Sequence, residues 1–290
     1  MKAAIFSLGS KSSEMVALAM QKYFQKVDHI SLKDIQVVLG KESGIYIQDK
    51  KIEDYDCVYL KGSFRYANLL RSLASLLEEK VPYMPLAASS FTTIHNKLLT
   101  HLALQKHNIP MPKTWVSANV TAAKDLLKKM NYPIVMKLPE GTQGKGVMFA
   151  DSFSSASSML DALGVLNQPF IIQEYIETGG ADIRALVVGN KVVAAMRRKA
   201  QKEEKRANIH AGGTGEKIKI SSQVLSLAVD TSKVLKAEVC GIDILESSEG
   251  PLVIEANISP GLQGLSKVVH DVNIPDEIAK YFFQRTEEAI

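Results

Sequence analysis

Several residue types that would mark a particular protein class are scarce in this sequence. Only two cysteines occur, Cys57 and Cys240, far apart in the chain of 290 residues. They can form neither a disulfide framework nor a four-cysteine zinc site, so we expect a reducing, cytoplasmic compartment. No apolar run approaches the roughly 20 residues that a membrane span requires, and we expect no membrane partner.

Excess charge of one sign is scarce as well. The 35 Lys and Arg residues nearly balance the 31 Asp and Glu residues, which gives a net charge of +4. This charge is too small to indicate nucleic-acid binding, although acidic ligands would suit it. The apolar fraction of 46% and the charged fraction of 23% are ordinary for a globular chain, and they exclude collagen, coiled coil and disorder.

Length and pattern predict an α/β protein built of α+β lobes. At about 100–200 residues per domain, the chain should contain about two domains or three small lobes. The first part reads as a small α/β unit, since residues 57–60 form a continuous apolar run typical of a buried parallel strand. The second part contains a hairpin, because strand-like residues 134–138 and 147–150 flank a glycine-rich turn.

The third part contains two further strand pairs. Residues 183–188 and 192–196 flank Gly189 and Asn190, a strong two-residue turn signal. A second pair follows at 241–245 and 252–256, with its turn at 249–251. We therefore place the lobe boundaries at 1–88, 89–169 and 170–290.

Three oxygen-bearing side chains of the last strand pair form the most informative set. Asp243 lies on one predicted strand, and Glu255 and Asn257 lie two residues apart on the other. Residues two apart project from one face of a strand, and the hairpin can place Asp243 opposite them. Two carboxylates and an amide oxygen suit magnesium bound to nucleotide phosphates. The alternative is that both acids are solvated at strand ends. The apolar flanking residues count against this alternative, because acids are rarely placed beside buried strand residues.

A glycine-rich loop, residues 140–147, follows Lys137 at the end of an apolar strand. Gly141, Gly144 and Gly146 would let backbone N–H groups approach anionic oxygens closely. The loop matches neither a Walker A loop nor a dinucleotide-binding loop. We interpret it as a hairpin loop that closes over a triphosphate, with Lys137 as a phosphate contact. An ordinary glycine-rich turn is the alternative.

Two further segments offer candidate ligand contacts. Gln173 and Glu174 end an apolar strand just before Tyr175, and a hinge of this kind could meet an adenine ring. The alternative is an edge-strand acid beside a core tyrosine. Lys97 lies in a predicted helix that Asn96 could cap, where a solvated lysine is the default interpretation.

A basic cluster coincides with a polar segment, predicted as a long loop at residues 199–215. Its members are Arg197, Arg198, Lys199, Lys202, Lys205 and Arg206, followed by Asn208 and His210. Long loops are usually functional or disordered. Three interpretations stay open: a pocket for carboxylates and phosphates, a solvated loop, or a nucleic-acid surface. Interrupting glutamates and the lack of interleaved aromatic residues count against nucleic acid.

Taken together and in order, these motifs resemble the RimK-like branch of the ATP-grasp superfamily. The match begins at Asn96 and closes at Gly261, and the first 85 or so residues match more loosely. The matching motifs are Asn96-Lys97, Lys137-Leu138, Glu140-Gly141-Thr142-Gln143-Gly144, Gly146-Val147, Gln173-Glu174-Tyr175-Ile176, Asp182-Ile183-Arg184, Arg206-Ala207-Asn208, Gly241-x-Asp243 and Glu255-x-Asn257-x-Ser259-Pro260-Gly261.

The resemblance implies an ATP-grasp fold, in which a small N-terminal α/β lobe precedes two lobes that sandwich ATP. It implies a ligase that turns a carboxylate and ATP into an acyl phosphate, which an amine then attacks to form an amide. The implied cofactors are ATP and two magnesium or manganese ions, with Asp243, Glu255 and Asn257 as metal ligands. Arg206 and Asn257 are implied in catalysis. The implied nucleotide contacts are Lys97, Lys137, Gly141, Thr142, Gln143, Gly144, Gly146, Glu174, Tyr175, Asp182, Arg206, Ala207 and Asn208.

The resemblance also bears on the substrates. In this branch the incoming amino acid is usually L-glutamate, with whose carboxylates Arg198 and Lys199 would pair; the family typically has two arginines there. The implied acceptor is the carboxylate of a ribosomal protein C-terminus or of a coenzyme. The loop 61–65 after a strand end is a natural place to meet it, through Phe64 and Arg65, and a structural loop is the alternative. A homo-dimer or homo-tetramer is expected. The alternatives are an ATP-grasp ligase for another amino acid or dipeptide, and a non-catalytic nucleotide-binding module.

Overall fold

The structure is a computed structural model that describes residues 1–141, 144, 146–165, 168–200 and 214–290. Its helices are α1 (Lys11–Met20), α2 (Ala67–Leu77), α3 (Ala88–His95), α4 (Lys97–Lys106), α5 (Val120–Leu127), α6 (Phe153–Val165), α7 (Ser222–Val234), α8 (Leu262–Val268) and α9 (Ile274–Ala289). Its strands are β1 (Lys2–Ser7), β2 (Lys26–Ser31), β3 (Ile35–Val38), β4 (Gly44–Ile47), β5 (Lys50–Lys51), β6 (Cys57–Leu60), β7 (Thr114–Ser117), β8 (Ile134–Lys137), β9 (Val147–Ala150), β10 (Phe170–Glu174), β11 (Ala181–Val188), β12 (Lys191–Lys199), β13 (Thr214–Lys217), β14 (Val239–Ser247) and β15 (Gly250–Asn257).

The N-terminal sheet is parallel and has the strand order β2-β1-β6. Every residue of β6 is buried, which confirms the prediction of a buried parallel strand at residues 57–60. Continuous burial requires cover on both faces, and helix α9 supplies part of it through Phe282, whose ring lies 5.0 Å from that of Tyr59. A separate antiparallel sheet, β3-β4-β5, follows β2 in the chain.

The central sheet is antiparallel and has the order β7-β10-β8-β9. Strands β8 and β9 form the hairpin that the glycine-rich turn predicts. The backbone at Gly146 has φ +78°, a conformation that side chains bearing a Cβ rarely adopt, and its carbonyl accepts the Leu138 N–H at 3.3 Å. The hairpin therefore depends on a glycine where the chain returns to β9.

The C-terminal sheet is antiparallel and has the order β13-β12-β11-β14-β15. Both predicted strand pairs are confirmed, and β14 and β15 place Asp243 opposite Glu255 and Gly241 opposite Asn257. The turn predicted at 249–251 is displaced, because β15 already begins at Gly250. The predicted loop 199–215 is shorter at both ends, since β12 includes Lys199 and β13 begins at Thr214; residues 201–213 lie outside the described part.

Two hydrophobic cores hold these layers together. The larger core joins the N-terminal and C-terminal sheets and includes Phe91 of α3 and Leu104 of α4. The smaller core lies under the central sheet, around Leu127 and Leu160. The division into lobes at 1–88, 89–169 and 170–290 stays a prediction. None of the helices in the described ranges is long and apolar enough to span a membrane.

Candidate active site

A cleft between the central and C-terminal sheets collects many of the residues singled out from the sequence. Gly141, Gly146, Lys199 and Asn257 do not line it, and Thr142, Gln143, Arg206, Ala207 and Asn208 lie outside the described residues. The polar and charged lining residues include Lys97, Lys137, Gln173, Glu174, Tyr175, Asp182, Arg198, Asp243 and Glu255, with Gly144 beside them. The apolar lining residues include Val135, Val147, Phe149, Ile176, Leu245 and Ile254.

Lys97 connects three elements at one end of the cleft. Helix α4 begins at this residue, and the side chain of Asn96 caps it by accepting the Leu99 N–H at 3.2 Å, as predicted. The Lys97 ammonium donates to the Gly141 carbonyl at 3.2 Å and lies 3.7 Å from Glu255 Oε1. Only 11% of the side chain is exposed, so Lys97 is not a solvated lysine.

Lys137 places a second ammonium in the cleft, at the buried end of β8. Its Nζ donates to Gln173 Oε1 at 2.7 Å. Burial lowers the pKa of Lys137 to about 8, with Glu255 opposing the shift and Lys97 adding to it. Burial destabilises the charged form of Lys137, so an anionic ligand in the cleft would stabilise that charge.

A series of side-chain hydrogen bonds fixes the orientation of Gln173. No motif in the sequence indicated these hydrogen bonds. Because Gln173 Oε1 accepts from Lys137, its Nε2 donates, to Thr114 Oγ1 at 2.9 Å and to His101 Nε2 at 3.1 Å. The other ring nitrogen of His101 must then carry the proton and donate to the Lys97 carbonyl at 2.5 Å. Burial lowers the pKa of His101 to about 4, which keeps this tautomer neutral.

The opposite end of the cleft is apolar and aromatic. The Phe149 and Tyr175 rings meet edge to face, with centroids 6.1 Å apart. The Glu174 carboxylate accepts the Lys113 N–H at 2.6 Å, and the Glu174 N–H donates to the Lys113 carbonyl at 3.1 Å. The segment between β10 and β11 is thereby held against the chain before β7, and the apolar walls suit a flat ring.

A buried network of two arginines and two aspartates forms the floor of the cleft. Arg184 donates to both carboxylate oxygens of Asp243 at 2.7 Å. Arg198 donates to both oxygens of Asp182 at 2.6 Å and lies 2.8 Å from Asp243 Oδ2. Burial alone would raise the pKa of Asp243, but the two arginines outweigh it and the pKa is lowered. Alternation along β11 places positions 182 and 184 on one face, a signal that could have predicted Arg184 here.

The candidate metal ligands fit a magnesium ion by their donor chemistry. The described residues contain no group of three or more His, Cys, Asp or Glu side chains arranged to hold a metal. Within that part of the chain, Asn257 Nδ2 is buried without a hydrogen-bond partner. Glu255 faces the cleft with 34% of its side chain exposed, and Asp243 Oδ1 accepts a hydrogen bond from Arg184 Nε. Asp243 Oδ2 accepts from both Arg184 and Arg198, so the remaining lone pair on Oδ1 and the Glu255 carboxylate are the anionic acceptors available on the two neighbouring strands.

Comparison with solved structures defines the class of protein to which this fold and cleft belong. A RimK domain ATP-grasp protein from Sphaerobacter thermophilus has 17% identity and a TM-score of 0.74, covering 97% of this chain and 99% of that one. The ATP-grasp ligase PsnB, solved with a minimal precursor, Mg and ADP, has 18% identity and a TM-score of 0.75, covering 99% and 98%. The fold is therefore that of the ATP-grasp ligases.

Sequence comparison then identifies the family. The model of the RimK-like ATP-grasp domain matches residues 94–282, and the chain belongs to this family, as the motifs predict. A probable alpha-L-glutamate ligase of Aeromonas salmonicida is 36% identical over 273 residues, 91% of each chain. One of Saccharophagus degradans is 44% identical over 177 residues, 60% of this chain. That match spans only 59% of the Saccharophagus protein.

Proposed function

We propose that this protein is an ATP-dependent ligase that joins the amino group of L-glutamate to an acceptor carboxylate. The observation that carries the proposal is the cleft itself. Two poorly solvated lysines, Lys97 and Lys137, face Glu255 at one end, and the aromatic pair Phe149 and Tyr175 lies at the other. ATP has the complementary arrangement, with a charged triphosphate at one end and a flat adenine ring at the other.

We assign the nucleotide contacts accordingly. Lys97 and Lys137 bind phosphate oxygens, and the backbone N–H groups of the glycines Gly141, Gly144 and Gly146 would approach the same oxygens. The adenine ring lies beside Tyr175 and Glu174, where backbone groups read its edge. Support comes from the Lys97 contact with the Gly141 carbonyl, since it ties the loop to the phosphate end.

The proposed reaction has two steps. An acceptor carboxylate oxygen attacks the γ-phosphorus of ATP, which gives an acyl phosphate and ADP. The amine of L-glutamate then attacks the carbonyl carbon; phosphate leaves, the nitrogen loses a proton and an amide remains. Catalysis of this type consists mainly of positioning and charge neutralisation, for which buried lysines are suited. Arg206 and Asn208 would contribute from a segment outside the described residues.

Two magnesium ions, or manganese ions, complete the proposed site. Asp243, Glu255 and Asn257 would hold them, and when bound the ions would neutralise phosphate charge. PsnB, which was solved with Mg and ADP, is consistent with this assignment on the same fold. In this chain, Arg184 already neutralises Asp243, so Glu255 would contribute the less compensated carboxylate.

The substrates are assigned from the relatives' names and from the basic residues of β12. The probable alpha-L-glutamate ligases indicate L-glutamate as the amine. Arg198 would face its carboxylates, although it is held by Asp182 and Asp243 in this structure. Lys199, predicted to share this role, is the adjacent, exposed residue of β12 and projects from the other face of the strand. The acceptor would be a protein C-terminus or a coenzyme carboxylate. PsnB was solved with a precursor, which illustrates a peptide substrate on this fold.

The first test is transfer of isotope-labelled L-glutamate. Purified protein, Mg-ATP and labelled L-glutamate are added to an extract of the source cells, and label is measured by mass in macromolecular and small-molecule fractions. We expect Glu255→Ala to abolish transfer, because a ligand of the ions that would neutralise the phosphates is lost, while the fold is retained. Glu246→Ala is the matched control, since Glu246 lies on the neighbouring strand in an exposed pair with Arg197.

Two results would contradict the proposal. Normal transfer by Glu255→Ala would remove the metal assignment, provided that thermal unfolding shows the variant to be folded. ATP binding with no ADP release across a panel of amino acids would indicate a nucleotide-binding module instead. ADP release with an amino acid other than glutamate would change the amine and leave the ligase intact.

A further inference from the structure

The Lys61 side chain is almost wholly buried, and its ammonium group has no anionic partner in the described part of the chain. Its exposed fraction is 4%, and none of the hydrogen bonds or ion pairs found there involves its side-chain nitrogen. The contact observed is with the ring of Tyr59, whose centroid lies 5.3 Å from Nζ. Burial lowers the pKa of Lys61 to about 8, and no carboxylate acts against the shift. A charge in this state has a strong preference for a carboxylate or phosphate ligand.

The position of Lys61 in the fold is where substrates usually bind. The residue follows β6 directly, and its N–H donates to the Phe6 carbonyl at 2.8 Å, so it lies at the carboxyl end of the parallel sheet. Ligands of α/β sheets bind at that edge. Lys61 also shares a strand face with Tyr59, which packs against Phe282 of α9, so its side chain lies on the side of the C-terminal part of the chain.

Two hydrogen bonds join this edge to the segment that follows the candidate metal ligands. The Gly62 N–H donates to Ser259 Oγ at 3.2 Å, and the Leu262 N–H donates to Ser12 Oγ at 2.9 Å. Ser259 is two residues after Asn257, whose buried Nδ2 has no hydrogen-bond partner within the described ranges. Donors without an acceptor in the described residues thus lie close in sequence to both partners of the Gly62–Ser259 contact: Lys61 Nζ and Tyr59 Oη before Gly62, and Asn257 Nδ2 before Ser259.

The neighbouring residues of the same loop are less suited to bind an anion. Arg65 lies over the ring of Phe64, 5.8 Å from its centroid, and neither side chain is buried. Arg198, the other buried cation with a proposed carboxylate ligand, is already bound by Asp182 and Asp243. Lys61 is also absent from the described lining of the nucleotide cleft. Its charge is thus not accounted for by the nucleotide.

We propose that Lys61 binds the acceptor carboxylate, at the junction of the N-terminal sheet and the segment after Asn257. The inference rests on the proposed function, and it names Lys61 as the residue that binds the carboxylate before it becomes the acyl phosphate. A carboxylate on Lys61 would restore the missing anion. The amine substrate would enter elsewhere, from the side of β12.

The test uses labelled N-acetyl-L-glutamate as a carboxylate that cannot act as the amine. Its binding to the intact protein, loaded with Mg and ADP, is measured by equilibrium dialysis beside the binding of labelled L-glutamate. We expect Lys61→Met to weaken N-acetyl-L-glutamate binding about tenfold or more, since a charge-assisted hydrogen bond is lost. Lys61→Arg should retain binding within about threefold, because the charge is kept. Lys50→Met, at an exposed lysine of β5, is the matched control.

Stability provides a second measurement that separates substrate binding from a structural role. A structural lysine would lower the melting temperature when replaced, whereas loss of an uncompensated buried charge should leave it unchanged or raise it. The lowered pKa means that protonated Lys61 opposes folding below about pH 8 and that this effect disappears as the pH rises toward the unfolded value of 10.5. The wild-type protein should gain stability over that range relative to Lys61→Met.

The outcomes are distinct. Weakened N-acetyl-L-glutamate binding with an unchanged or raised melting temperature supports the proposal. Equal binding by wild type and Lys61→Met, no binding by wild type, or selective loss of L-glutamate binding would overturn it. Failure of the proposed function is recognised by different results: the wild-type protein would not bind ADP, or would not transfer labelled glutamate.

Discussion

At the scale of single residues, the buried charges in the described part of the site differ in how fully they are compensated. Arg198 and Asp182 satisfy each other with two hydrogen bonds, whereas Lys137 has only the neutral amide of Gln173. A buried ion pair contributes little net stability, but removal of one partner leaves an uncompensated charge. The compensated charges therefore maintain the cleft, and the uncompensated ones are available to anionic substrates.

The arginine network makes one prediction about stability. Arg198→Met should lower the free energy of unfolding by about 3–5 kcal/mol, because Asp182 loses its partner while buried. Urea denaturation measures the change. The control is Arg197→Met at the next position, where the pair with Glu246 is exposed and should contribute less than about 1 kcal/mol. Equal effects of the two substitutions would refute the distinction.

At the scale of elements, Gln173 links α4 to the central sheet. Its side chain contacts Lys137 on β8, Thr114 on β7 and His101 on α4, so one amide connects three elements. His101 continues the connection to the carbonyl of Lys97, at the start of the helix. The two lysines assigned to phosphate thereby share one hydrogen-bonded support.

Replacement of Gln173 should weaken this connection. Gln173→Leu leaves the Lys137 ammonium and the His101 Nε2 without partners, and we expect a loss of about 1–3 kcal/mol in the free energy of unfolding. Denaturant titration with and without Mg-ADP should show that nucleotide affinity falls as well. Gln105→Leu makes the same chemical change at an exposed position of α4 and should shift stability by less than about 0.5 kcal/mol.

At the scale of the whole molecule, the two cores divide the structure unequally. The larger core unites the N-terminal and C-terminal sheets, and the smaller core supports the central sheet alone. A region with fewer buried apolar contacts opens at a lower free energy. The central sheet supplies Lys137, Phe149 and Glu174 to the cleft, so its opening would disassemble the proposed nucleotide site.

Hydrogen exchange should reveal this difference. Without ligand, we expect the amides of β8 and β10 to exchange faster than those of β1 and β11. Mg-ADP at about 100 times its Kd should slow exchange in the central sheet by about a hundredfold, because opening then requires release of the nucleotide. The amides of β1 serve as the internal reference. Faster exchange in β1 than in β8 would contradict the assignment of the less stable core.

Local patterns were sufficient for much of the fold. The apolar run of β6, the Asn96 cap of α4, the β8–β9 hairpin and the turn at Gly189 all follow from short-range chemistry, and the structure confirms each. The spacing of Glu255 and Asn257 likewise predicted their place on one strand beside Asp243; the structure pairs Asp243 with Glu255, and Asn257 with Gly241. These features depend on residues close in sequence or paired through a single turn.

Other features were decided by tertiary structure alone. His101 meets Gln173, the Gly62 N–H meets Ser259, and Tyr59 meets Phe282, each across a long stretch of chain. Periodicity and turn chemistry do not encode such contacts, because they arise when whole sheets and helices pack. The sequence by itself determined the family, many of the elements and the candidate ligands. Only the packing decided which charges are compensated, since compensation depends on neighbours that the chain brings together in space.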